Sequence, residues 1–78
     1  MDETRLKQVL ADIFDIDAET IDETTSIDTI EEWDSLRHLY LVLALEAELD
    51  ITLTEEQTIE ILSYPQIKAV VQEQVEKL

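Results

Sequence analysis

The chain has no cysteine, no glycine and one proline, and only five of its 78 residues are Lys or Arg. Without cysteine there can be neither a disulfide nor a thiolate metal site, and the redox compartment stays undetermined. Without glycine there is no glycine-rich nucleophile elbow of the kind a serine hydrolase uses. No apolar stretch reaches the ~20 residues of a membrane span. Met1-Asp2-Glu3 does not open a signal-peptide pattern, so a cytoplasmic protein is expected. Repeats and internal linkers are absent too, and one domain over residues 1–78 is expected.

What the chain has is acid. Twenty Asp and Glu against five Lys and Arg give a net charge of −15. Phosphates would be repelled, which excludes nucleic acid as a direct ligand. The charge favours partners with basic patches and fast, salt-sensitive encounter. On so small a domain it also costs stability by self-repulsion, which argues for a use in recognition. The apolar fraction of 45% is periodic, and this excludes disorder. A chain of this length buries about 60–65% of the surface its unfolded form exposes. It can fold alone, as an expected monomer, but has no room for a deep multi-residue active site.

The periodicity predicts an all-α fold, a small four-helix bundle of three longer helices and one short one, with a long first loop. Leu6, Val9, Leu10, Ile13 and Phe14 follow helical spacing, giving a first helix over about Asp2 to Phe14. From Asp15 to Glu32 no period is sustained. Ile16, Ile21, Ile27 and Ile30 are spread through this acidic, threonine-rich stretch and are expected to pin it as an ordered loop. Asp15-x-Asp17-x-Glu19 begins like a calcium loop, but Thr20 and Ser26 stand where that pattern needs Gly and Glu.

The second helix is predicted from Ser35 to Leu49, capped by Asp34 and ended at Asp50 in a left-handed turn. Its run Leu39-Tyr40-Leu41-Val42-Leu43-Ala44-Leu45 is apolar all round, which predicts a central helix buried on several sides. Thr54-Glu55-Glu56-Gln57 fits a capping box and opens a short third helix to about Leu62, with Ile59 and Leu62 facing inward. Ser63-Tyr64-Pro65-Gln66 repeats the box and starts the fourth, about Tyr64 to Lys77, with Pro65 harmless in the first turn.

Ser35 and His38 lie three apart, within reach of each other on one helical face. A serine nucleophile also needs an oriented base, an oxyanion hole and a sheltered pocket. One histidine and a small glycine-free chain do not supply them, so no catalytic residues are assigned and no enzyme is expected. A lone histidine among scattered carboxylates gives no metal-ligand spacing either.

Trp33-Asp34-Ser35-Leu36, set between a long acidic loop and an apolar helix in a short acidic chain, resembles the acyl carrier protein family. The resemblance covers nearly the whole chain. It implies a covalent 4'-phosphopantetheine arm on Ser35, with Asp34 supporting its attachment by a phosphopantetheinyl transferase. It also implies acyl-loading and acyl-transfer enzymes as partners, met through Arg37, His38, Tyr40, Glu46 and Glu48. An acyl groove between the second and third helices is implied as well, with Leu41, Leu45, Leu53, Ile59 and Ile61 as its candidates by position. Housekeeping fatty-acid carriers carry acids two and five residues after the serine, where this chain has Arg37 and Tyr40. The resemblance therefore runs closer to discrete carriers of specialised, polyketide-like or dedicated acyl-transfer pathways. Two alternatives stand beside it: an aminoacyl carrier of the D-alanyl type, and an unmodified acidic helical adaptor for basic surfaces.

Overall fold

The computed structural model describes residues 3–76. Four helices follow in order: α1 (Glu3–Phe14), α2 (Ser35–Leu49), α3 (Glu55–Glu60) and α4 (Tyr64–Glu76). Asp2 and Lys77, the expected outer ends of the first and last helices, lie outside the described residues. The described residues form no strand; one antiparallel bridge pairs Ser26 with Ser63. Two backbone bonds accompany it, Ile27 N–H to the Leu62 carbonyl and Tyr64 N–H to the Thr25 carbonyl, each 2.9 Å.

Each helix buries the stripe its sequence marks. Leu6, Val9, Leu10 and Phe14 of α1 meet Leu41 and Leu45 of α2 and Tyr64, Ile67, Val70 and Val71 of α4 in one core. The second helix is a correction. Only Leu41 and Leu45 of its residues are buried, while Leu36, Leu39, Tyr40 and Leu43 are exposed. A domain this small has too few neighbouring elements to cover a helix on every side, so one apolar face stays outside.

The long loop is ordered, and by more than its isoleucines. Ile21 and Ile30 are buried and Ile16 packs against the core, but Ile27 is exposed. Trp33 is buried at the loop's end. Between these anchors, acids and hydroxyls satisfy neighbouring backbone groups. Asp17 caps a short 3-10 turn at Ala18–Thr20 by accepting the Glu19 N–H. Asp22 accepts the Thr24 N–H, Thr25 the Asp22 N–H, and Thr29 the Ser26 N–H. These short-range bonds are why Asp, Ser and Thr favour turns, and they explain the loop's composition.

With no glycine, aspartate takes both left-handed helix ends. Asp50 has φ 52°, as expected, and Asp15 has φ 55° after α1. The next residue's N–H reaches back five positions in each case, Ile16 to Ala11 and Ile51 to Glu46. That closes the last turn, and in α2 the Glu46 carbonyl accepts the Asp50 N–H as well. The α3 capping box forms in full: Thr54 accepts the Gln57 N–H, and the Gln57 side chain accepts the Thr54 N–H. α3 stops at Glu60, and it buries none of its own residues. Ile59, expected inward, is 67% exposed, and Leu62 is exposed as well. A helix of six residues lying on the surface turns little of itself inward, and Ile61 just beyond it is the residue that enters the core.

Candidate functional site

Ser35 is the first residue of α2 and is exposed. Asp34 before it has extended backbone, and its Oδ1 accepts the Arg37 N–H at 2.8 Å. Its carbonyl accepts the His38 N–H at 2.9 Å. The N–H groups that open the helix, together with its positive dipole end, therefore lie beside the Ser35 hydroxyl. Ser35 borders an open cleft of about 430 Å³ whose other walls are Ile27, Asp34, His38 and Leu62. The loop supplies one wall, α2 another, and the chain after α3 the third. An exposed hydroxyl at a helix N-terminus, facing a partly apolar cleft, can accept a phosphodiester and lay an attached chain along the surface.

His38 does not act on Ser35. Its Nδ1 receives the Trp33 indole N–H at 3.0 Å and its Nε2 lies 2.7 Å from the Thr58 carbonyl. Both ring nitrogens are engaged, so His38 supplies no base for the serine. Among the described residues no group of three or more His, Cys, Asp or Glu could hold a metal ion.

The structure separates the five expected partner contacts. Tyr40 is exposed and open to a partner. Arg37 is half-buried, and its guanidinium donates to the Ile13 carbonyl at 2.8 Å, capping the end of α1. Arg37 thus directs one guanidinium nitrogen to α1, while Tyr40 faces solvent. His38 is half-buried between Trp33 and Thr58. Glu46 accepts the Leu53 N–H at 3.1 Å and so fastens the turn after α2. Glu48 is exposed but pairs with Arg5 of α1 at 3.1 Å.

The expected acyl-groove residues divide as well. Leu41, Leu45, Leu53 and Ile61 are buried core residues, and Ile59 points to solvent. None of these five residues lines the open cleft beside Ser35. Leu36, Leu39 and Leu43 were not singled out in the sequence. With Tyr40 they make an exposed stripe at i, i+3, i+4 and i+7, starting next to Ser35. The visible sign was an apolar run longer than one buried face can use.

Comparison with known proteins agrees with this geometry. The family described as "Phosphopantetheine attachment site" matches residues 4–73, and the chain belongs to that family. It is thus a phosphopantetheine carrier protein, a carrier and not an enzyme, with 4'-phosphopantetheine as its covalent prosthetic group. Its fold is similar to the solution structure of a holo acyl carrier protein from Geobacter metallireducens. The TM-score is 0.83 at 23% identity, over 94% of this chain and 84% of that one. A search of curated proteins finds no match. Carriers of this family receive their arm from a phosphopantetheinyl transferase. No helix among the described residues is long and apolar enough to cross a membrane.

Proposed function

We propose that this chain is a single carrier domain holding acyl intermediates as thioesters on an arm attached to Ser35. The observation that carries the reading is the Asp34–Ser35 junction: an exposed hydroxyl at the start of α2, beside a helix end that favours an anion. When bound, the arm supplies the thiol on which the acyl group is held. Ser35 provides the ester oxygen, Asp34 keeps the first turn in place, and the cleft offers Ile27 and Leu62 as apolar walls.

The pathway we propose is a specialised, cytoplasmic one. Its support is the surface after Ser35, where Arg37 and Tyr40 stand at the two positions that carry acids in housekeeping carriers, and where Leu36, Leu39, Tyr40 and Leu43 are exposed. The positive charge of Arg37 is directed to α1, so the departure from housekeeping carriers lies in the missing acids more than in an added base.

Intact mass tests the assignment, after incubation with coenzyme A, magnesium ions and a broad-specificity phosphopantetheinyl transferase. Wild type should gain one phosphopantetheine. Ser35→Ala should stay helical and gain none. Modification that persists in Ser35→Ala overturns the assignment.

A further inference from the structure

Three elements meet at one imidazole. Trp33 ends the loop, His38 lies in the second turn of α2, and Thr58 belongs to α3. An indole N–H can only donate, so Nδ1 of His38 must accept the bond from Trp33. A carbonyl can only accept, so Nε2 must carry the proton shared with Thr58. Both partners therefore demand the same neutral tautomer. The Trp33 and His38 rings lie 20° from parallel with centroids 6.1 Å apart, and Phe14 of α1 meets Trp33 at 4.7 Å. α3 has no buried residue of its own, so its seat relies on ties from outside. The His38 bond is one, and a 2.8 Å bond from Gln74 to Gln57 is another.

We propose that His38 is a positioning residue: as a neutral imidazole it joins Trp33 to α3, fixing the wall of the cleft beside Ser35, and a proton opens this joint. Protonation turns Nδ1 into a donor. Two N–H groups then face each other with no acceptor between them, while Nε2 keeps its bond to Thr58. The joint therefore opens on the Trp33 side. Trp33 stands two residues before Ser35, and His38 lines the same cleft as Ser35, so the opening loosens the surroundings of the serine. That consequence for the arm rests on Ser35 being the attachment site; the joint itself does not.

The charged neighbours are few. In the cleft the titratable one is Asp34, bonded to the Arg37 N–H. On α2 the adjacent cation is Arg37, directed to Ile13. The loop brings exposed Glu31 and Glu32 before Trp33, α3 brings exposed Glu55, Glu56 and Glu60, and Phe14 of α1 carries no charge.

Trp33 is the only tryptophan and His38 the only histidine of the chain, which makes intrinsic fluorescence a direct reporter. As pH falls from about 8 to about 5, wild-type emission should change in intensity and wavelength while the far-ultraviolet helical signal holds. His38→Gln should stay flat over that window. Its carboxamide can accept from Trp33 and donate to Thr58 but gains no proton. Ser35→Ala should show the wild-type change, so the joint and the attachment reading are tested separately. Flat wild-type emission overturns the proposal, as does His38→Gln titrating like wild type. Should His38→Gln not fold, the indole N–H signal of wild type decides by nuclear magnetic resonance. It should move together with the His38 ring signals, and movement of the ring without the indole overturns the joint.

Discussion

Tyr64 and Leu39 are both large side chains on helices of this domain, and the regions around them are built on opposite terms. Tyr64 is 1% exposed; its hydroxyl donates to the Glu3 carboxylate at 2.7 Å. Lys68 pairs with Glu3 at 3.3 Å and with Glu23 at 2.6 Å, and both Lys68 and Lys7 sit over the Tyr64 ring. Loop, α1 and α4 are thus tied by charges that meet one another. Leu39, one turn beyond Ser35, is 53% exposed, within the apolar stripe of α2. The first region spends its side chains on holding the fold. The second leaves apolar surface uncovered, which a protein retains where another surface will meet it.

Four experiments can break or sharpen this comparison. The largest effect on stability is expected in the shared core. Phe14→Ala removes a fully buried ring and should cost about 3–5 kcal/mol in chemical denaturation. An effect near zero would mean that α1 does not close the core. Asp34→Ala removes the α2 cap and should cost about 1 kcal/mol. Transferase turnover should fall with it, measured under conditions where the variant is still folded.

Tyr64→Phe should change the pH dependence of stability. The Tyr64 hydroxyl, with Lys68, holds the Glu3 carboxyl below its ordinary range. Its contribution is present above the unfolded carboxylate value and is lost as pH falls through the lowered folded value. Burial, then Glu3, pushes the Tyr64 hydroxyl up, and the hydrogen bond to Glu23 pushes Lys68 up. Those contributions are present below the unfolded values and are lost as pH rises through the folded ones. Melting temperature against pH should therefore show a flatter acid limb in Tyr64→Phe than in wild type. Identical acid limbs would show that the Glu3 bond does not contribute.

The smallest effect on stability is expected on the stripe. Leu39→Ser and Leu43→Ser should each stay within about 0.5 kcal/mol of wild type. Their kcat/KM with the transferase should nevertheless fall. A loss of stability approaching that of Phe14→Ala would show that the stripe is core, and the comparison would fail.

Much of this arrangement was legible in the residues. Thr54 with Gln57, Asp34 before Ser35, and Asp50 after Leu49 mark helix ends through bonds between near neighbours, and such bonds need no tertiary context. The α1 stripe was legible for the same reason, since one helix turn fixes its spacing. The roles of Arg37, His38, Glu46 and Glu48 were not. Each was placed on the right helix, yet its partner lies elsewhere in the chain: Ile13, Thr58, Leu53 and Arg5.

By itself, then, the sequence determined the order of the helices and placed Ser35 at the start of the second, because capping and periodicity are local; the carrier reading came from the resemblance carried by Asp34-Ser35-Leu36. Only the tertiary structure decided which face of α2 is covered. The run from Leu39 to Leu45 is apolar on every side, so periodicity cannot choose a face. The packing of α2 on α1 and into the shared core chooses it, burying Leu41 and Leu45 and leaving Leu36, Leu39, Tyr40 and Leu43 to solvent.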